Sequence, residues 1–151
     1  MVSHQQLLAQ AQQLCEQRGV RLTPQRGRVL QLILSDNRAI SAYELLDLLR
    51  ETEPQAKPPT VYRALDFLLA QGFVHKVEST NSYIACRHLG KPEHCSQLLI
   101  CDSCGNVDEC HADELAEMLG LKADNHGFTV SHHVVETHGQ CLHCQQKQGQ
   151  K

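Results

Sequence analysis

Cys101 and Cys104 are separated by two residues, and Cys141 and Cys144 repeat that spacing. A C-x-x-C turn, tightened in the first pair by Gly105, sets two thiolates on one side of a metal. Two such turns complete a tetrahedral sulfur cage, which suits Zn²⁺. The 36 residues between the pairs exceed the gap in a compact zinc ribbon, but a helix and a strand fill it. Four protein ligands leave no open coordination position. Such a zinc is structural and makes folding depend on metal. The competing readings are two disulfides, which require an oxidising compartment, and two unrelated thiol pairs.

A second set is more dispersed: His75, Cys86, His94 and Glu109, with His88, Cys95, Cys110 and His111 close by in sequence. Imidazole, thiolate and carboxylate together suit Zn²⁺. A metal held by residues so far apart would clamp one half of the chain to the other, which a sensor requires. Scattered surface histidines and a buried cysteine are the plainer reading. A third group, His132, His133, Glu136 and His138, falls in an expected strand. There His132, Glu136 and His138 share one face and His133 points the other way. A further metal site or a polar solvent face would both fit.

These side chains need elements to position them. Ser3 caps a helix through Leu7, Leu8, Ala11, Leu14 and Cys15 that stops at Gly19. Thr23-Pro24 opens a second helix bearing Val29, Leu30, Ile33 and Leu34. Ser41 and Glu44 form a capping box for a third, through Leu45, Leu46, Leu48 and Leu49. After a proline-rich break, Thr60 starts a fourth helix, from Val61 to about Gln71, closed by Gly72. Two β-like runs, residues 73–77 and 82–86, then suggest a hairpin. Helices followed by a hairpin is the order of a winged helix-turn-helix, although a small bundle with an added hairpin has the same order. Beyond a polar stretch, strands over residues 97–101, 106–109 and 128–136 and a helix over about 112–121 predict an α+β unit with an antiparallel sheet. Residues 145–151 read as a frayed tail.

The bulk properties bound the reading. The chain of 151 residues allows one domain or two small ones, and 41% apolar content supports a core. No apolar run has the length of a membrane span, and the first residues read as a helix start rather than a secretion signal. Cytoplasmic residence is the expectation, and in a reducing cytosol the thiols are expected to be metal ligands. Net charge is −3, but residues 1–84 carry +1 and residues 85–151 carry −4. DNA contact must therefore come from local Arg and Lys placement. Seven of eight cysteines and nine of ten histidines lie at or beyond His75, which divides the chain functionally. We expect a winged-helix domain at 1–85, a hinge at 86–96 and a metal-binding dimerisation domain at 97–151.

Six stretches together carry a specific resemblance. They are Arg21-Leu-Thr-Pro-Gln-Arg26, Ile40-Ser-Ala-Tyr-Glu-Leu-Leu-Asp-Leu-Leu-Arg50 and Ala56-Lys-Pro-Pro-Thr-Val-Tyr-Arg-Ala-Leu-Asp-Phe-Leu68. The others are Gly72-Phe-Val-His-Lys-Val-Glu-Ser-Thr-Asn-Ser-Tyr83, Ile100-Cys-Asp-Ser-Cys-Gly105 and His138-Gly-Gln-Cys-Leu-His-Cys144. Over nearly its whole length the chain resembles the Fur family of bacterial metalloregulators, and within it the branch that controls zinc uptake. The resemblance implies a homodimer that represses zinc-uptake genes when zinc is plentiful. It implies a structural zinc on Cys101, Cys104, Cys141 and Cys144 and a regulatory zinc on His75, Cys86, His94 and Glu109, two per subunit. It also implies that Thr60, Val61, Tyr62 and Arg63 open the recognition helix. The chemistry agrees: Arg63 can take a guanine edge bidentately, and Tyr62 a thymine methyl or a phosphate. Tyr43 and Arg26 are expected as DNA-facing supports, and Lys57 and Lys76 as phosphate partners. Where the iron-sensing branch has a histidine-rich run, this chain reads Arg87-His-Leu-Gly-Lys-Pro-Glu-His94, with a thiolate from Cys86. That argues against iron or peroxide sensing.

The expected function is thus a zinc-responsive repressor that binds double-stranded operator DNA as a dimer, with no membrane, no small-molecule substrate and no catalysis. A zinc hydrolase would need an open metal position and a general base; the chain has no H-E-x-x-H and carries a helix-turn-helix signature that an enzyme would not need. A zinc-storage protein would not need Arg63. Asp47 and Arg50, one turn apart on one helix, could pair within the chain or across neighbouring dimers, and the first is the expectation.

Overall fold

The computed structural model describes residues 2–89 and 96–149. They fall into two compact units, Met1–Pro92 and Glu93–Lys151.

In the first unit, four helices and a small sheet share one core. Helix α1 (His4–Arg18) begins at Ser3, whose hydroxyl accepts from the Gln6 N–H while Gln6 returns a bond to the Ser3 N–H. It ends at Gly19, with φ of 68°, a conformation glycine adopts without Cβ strain. Helix α2 (Pro24–Leu34) uses Thr23 as cap and proline in the first turn. Strand β1 (Ile40–Ser41) leads into helix α3 (Ala42–Arg50), whose Ser41–Glu44 capping box is formed as expected. Helix α4 (Pro58–Ala70) begins two residues before the expected Thr60. Pro58 and Pro59 have no N–H to leave unpaired at a helix start, so they fit its first two positions. Thr60 is the third residue, and its hydroxyl accepts from the Lys57 N–H at 3.4 Å.

Val61, Ala64, Leu65 and Leu68 of α4 are buried at i, i+3, i+4 and i+7. They pack with Leu30, Ile33 and Leu34 of α2, Leu45 and Leu49 of α3, and Leu7 and Cys15 of α1. Each large aliphatic side chain removed from water there contributes about 1.5–3 kcal/mol. Strands β2 (Val74–Val77) and β3 (Ser82–Ala85) form the hairpin, with β1 antiparallel on the other edge of β3. The two-residue β1 has no sequence signal of its own.

In the second unit, β4 (Ser96–Cys101) lies between β5 (Val107–His111) and β6 (Val135–Gly139). Three expectations are corrected here. The sheet is mixed: β5 runs antiparallel to β4, but β6 runs parallel to it, because helix α5 (Asp113–Asn125) and the long segment after it carry the chain back to the same end. The last strand spans 135–139 rather than 128–136. The segment expected to fray is largely helix α6 (Leu142–Gln148).

Candidate metal centre and nucleic-acid interface

The four-cysteine centre is assembled by the parallel pairing of β4 and β6. Cys101 is the last residue of β4 and stands opposite Gly139. The chain after Cys101 turns back on itself, with the Gly105 N–H donating to the Cys101 carbonyl at 2.9 Å. Gly105, at φ 76°, occupies the left-handed region that closes this turn. Two residues beyond Gly139, Cys141 caps α6 and Cys144 lies in its first turn. The Asp102 N–H donates to the Gly139 carbonyl at 2.9 Å and joins the two turns.

The sulfur atoms converge. Sγ of Cys101 lies 3.8 Å from Sγ of Cys144, and Sγ of Cys104 lies 3.8 Å from Sγ of Cys141. All four are within 4.8 Å of one another. A tetrahedron with Zn–S bonds of about 2.3 Å has edges of about 3.8 Å. A disulfide would bring sulfurs to about 2 Å, and the cysteines among the described residues are free. The donor set therefore fits Zn²⁺ and excludes the disulfide reading.

Their electrostatics agree. Cys101 is lowered to about 6, chiefly because the Cys141 N–H donates to its sulfur at 3.3 Å, aided by the Cys104 N–H. Cys144 is pushed up to about 12, first by its contact with Cys141, then by burial and its other sulfur neighbours. Four thiolates cannot share this volume without a cation; a dication reverses that penalty.

On the hairpin, His75 stands opposite Ile84. The Cys86 N–H donates to the Phe73 carbonyl at 2.9 Å, which carries the pairing one step past β3. That register puts His75 and Cys86 on one face as diagonal neighbours, and a ring nitrogen of His75 lies within 4.8 Å of Cys86 Sγ. Cys86 is buried, and its sulfur accepts from the His88 N–H at 3.3 Å. Glu109 belongs to the other unit, on β5 opposite Leu98, whereas Cys110 is opposite Gln97. The two neighbours therefore face opposite sides of the sheet. His94 and Cys95 lie outside the described residues.

The third histidine group forms in part: Glu136 and His138 share one face of β6, as expected. His132 precedes β6 and bonds to the Ser131 hydroxyl. His138 instead bridges two carboxylates: Nδ1 lies 3.2 Å from Asp102 and Nε2 lies 3.3 Å from Glu136. Asp102 and Glu136, at opposite edges of the ring, favour imidazolium and raise its pKa. Asp102 had no sequence signal beyond its place inside the C-x-x-C.

The outward face of α4 follows from its buried stripe. With Val61, Ala64, Leu65 and Leu68 inward, Tyr62 and Arg63 are exposed. Tyr62 is 47% and Tyr43, in the first turn of α3, 78% exposed. Tyrosines this open are not core residues. Lys57, just before α4, is exposed. Two cations expected at the DNA also have contacts within the chain. Lys76 pairs with Glu78 at 3.6 Å. Arg26 is engaged within the unit: its guanidinium lies 4.0 Å over the Phe67 ring and Nη1 donates to the Arg21 carbonyl at 2.8 Å. Arg50 also has another partner than Asp47, because its Nε donates to the Ala56 carbonyl at 2.9 Å.

A family model described as the Ferric uptake regulator family matches residues 17–138. The zinc uptake regulation protein of Escherichia coli (strain K12) is 59% identical over 140 residues, covering 93% of this chain and 82% of that protein. A solved zinc uptake regulator complexed with zinc and DNA is similar at 56% identity, with a TM-score of 0.95 and 99% coverage of both chains. The crystal structure of holo XcZur is similar at 42% identity, with a TM-score of 0.88, covering 95% of this chain and 99% of that one.

Proposed function

The chain belongs to the Ferric uptake regulator family, and from that premise we propose that it is a zinc-responsive transcriptional repressor that binds operator DNA as a homodimer and controls zinc-uptake genes. The observation that carries this reading is the conjunction of a four-sulfur centre sized for zinc with a recognition helix whose Tyr62 and Arg63 face outward. A zinc-storage protein has no use for the second feature. The reading assigns no catalysis, and it places the protein in the cytoplasm with its DNA. Among the described residues no helix is long and apolar enough to cross a membrane.

Cys101, Cys104, Cys141 and Cys144 would hold one zinc permanently. They tie the end of β4 to the start of α6 and keep the second unit folded. His75 and Cys86, with Glu109 and His94, would hold the regulatory zinc. Zn²⁺ supplies there a charge and a preferred geometry that reward one arrangement of its ligands. The hairpin holds His75 and Cys86 side by side beforehand, which lowers the ordering cost. A few kcal/mol of coupling between this site and the DNA-binding surface is typical of allosteric linkage. On DNA, Arg63 reads a guanine edge, Tyr62 and Tyr43 contact bases or backbone, and Lys57, just before α4, and Thr60, in its first turn, meet phosphate.

A dimer is supported by α5, which has no buried residue in the single chain. Met118 and Leu121 on it are 57% and 66% exposed, and Phe128, Val134 and Leu142 are similarly open. A second copy is the occupant this reading assigns to that apolar surface. The test is a gel shift on a zinc-importer promoter across buffered free Zn²⁺, with Fe²⁺ and Mn²⁺ controls. Binding switched on by zinc alone, with about one zinc per subunit retained in the low-zinc samples, is expected. Binding indifferent to metal, or led by iron, would remove the zinc-sensing assignment.

A further inference from the structure

Arg26 lies beside the recognition helix without facing outward as Arg63 does. Its guanidinium stacks 4.0 Å above the ring of Phe67 on α4, and Nη1 is fixed at 2.8 Å by the Arg21 carbonyl. Phe67 is half-buried, at the edge of the α4 stripe formed by Val61, Ala64, Leu65 and Leu68. It follows Arg63 by four residues and therefore lies one turn further along the same side of the helix. The far end of α4 is held in a similar way. Arg18, in the last turn of α1, donates from Nη1 to the Gln71 carbonyl at 2.9 Å and to the Gln71 side chain at 3.1 Å, and its guanidinium lies 5.6 Å from the centre of the Phe73 ring. Cys15, fully buried in α1, lies within the electrostatic reach of both arginines.

The buried stripe sets which face of α4 points inward, but small rotations about the helix axis are opposed less sharply by non-directional apolar contacts than by directional ones. A stacked guanidinium does have direction. A rotation of about 10° moves a side-chain tip 5–6 Å from the axis by about 1 Å, which is enough to spoil a bidentate hydrogen bond.

We propose that Arg26 is a positioning residue for sequence recognition: through its stack on Phe67 it fixes the rotation of the recognition helix, and with it the aim of Arg63 at a base edge. The proposal rests on the operator-binding reading given above. Arg26 then contributes to choosing the sequence and not to holding phosphate. Lysine cannot replace it, because an ammonium lacks the planar face that stacks on an aromatic ring.

The test compares wild type, Arg26→Lys, Phe67→Leu and the double variant, all zinc-loaded and checked for fold by circular dichroism. Each is used to select from a randomised DNA duplex pool. Affinity for the duplex that wild type enriches is then measured against a scrambled duplex over a range of salt. Arg26→Lys and Phe67→Leu are each expected to lose about threefold to tenfold in affinity for the enriched duplex, the range for a partly desolvated cation–π contact. Scrambled-duplex affinity and the salt slope should stay unchanged. The double variant should be no worse than the poorer single variant, since both remove one contact. An Arg26→Lys protein that selects and binds as wild type does would overturn the proposal, as would a change confined to the salt slope, which marks a phosphate contact. If wild type enriches no sequence, the operator-binding reading itself fails, and the proposal with it.

Discussion

Cys101 and Cys144 hold their sulfur atoms 3.8 Å apart across 43 positions of sequence, and the same spacing recurs between Cys104 and Cys141. The distance matches the edge of a zinc–sulfur tetrahedron, so the fold of the second unit and the metal are coupled. Cys144→Ser should lower the zinc retained after dialysis at neutral pH and abolish the cooperative melting of that unit. The loss is large because structural zinc contributes on the order of 10 kcal/mol to folding in small zinc peptides. Zinc content by mass spectrometry and thermal melts check this. A variant that keeps both its metal and its melting transition would remove the structural role.

The four-cysteine set was legible because its spacing is local within each pair and the chemistry of four thiolates is narrow. The caps at Ser3 and Thr23 and the capping box at Ser41 were legible for the same reason: three or four adjacent residues decide them. The parallel pairing of β6 was not, because partner choice between strands whose partners lie 38 positions apart leaves no mark on either strand. The start and the length of β6 were not legible because residues 128–134 have a strand-like pattern, whereas the pairing with β4 begins at Val135. The contact of Arg26 with Phe67 was not legible for a related reason. An arginine near a recognition helix has the same sequence signal whether it faces a phosphate or an aromatic ring. His75 and Cys86 were brought together by the register of the hairpin, which their spacing in sequence alone does not define.

His138 gives the second unit a pH dependence. Its pKa is raised by Asp102 first and then by Glu136. The sign follows from linkage: a raised histidine stabilises the fold below its unfolded value, about 6.5, and the benefit is lost as pH rises through the folded value. His138→Gln should therefore lower the melting temperature of zinc-loaded protein at pH 6.0 and have a smaller effect at pH 8.5. The bridge is solvent-exposed, so the shift should be modest and should shrink in high salt. An equal deficit at both pH values would point to packing and not to charge.

Arg63 and Lys57 should separate base reading from phosphate contact. Arg63→Ala is expected to cost about 1–3 kcal/mol in operator affinity and to relax preference at one base pair. Lys57→Ala should weaken operator and unrelated DNA alike and reduce the salt slope by about one. Titrations at several salt concentrations on both duplexes distinguish the two patterns. Identical behaviour of the two variants would mean that the outward face of α4 does not read sequence.

Cys86→Ser tests the regulatory site without touching the structural one. Cys86 lies in the first unit, one step past β3, while all four structural cysteines lie in the second. Exchange of sulfur for oxygen is nearly isosteric, so fold and the tightly held zinc should persist. The free zinc needed for half-maximal DNA binding should rise by tenfold or more, on the scale of about 10–100-fold seen when ligand support is lost. A zinc response unchanged from wild type would exclude Cys86 as a ligand.

The apolar surface of α5 supplies the last test. Leu121 is 66% exposed in the single chain and Met118 57%, and the helix buries none of its residues against its own unit. A helix that leaves leucine and methionine open to water and has no buried residue offers an apolar surface for a partner. Leu121→Glu places a charge on that surface, and burying an unpaired carboxylate costs several kcal/mol. Sedimentation should then show monomers at micromolar concentration where wild type is dimeric. The far-UV spectrum and the four-cysteine zinc should be retained, because the charge faces solvent in the monomer. Operator affinity should fall steeply, since a two-fold symmetric site is read by two recognition helices and a monomer offers one. A Leu121→Glu protein that remains dimeric would place the interface on another surface of the second unit.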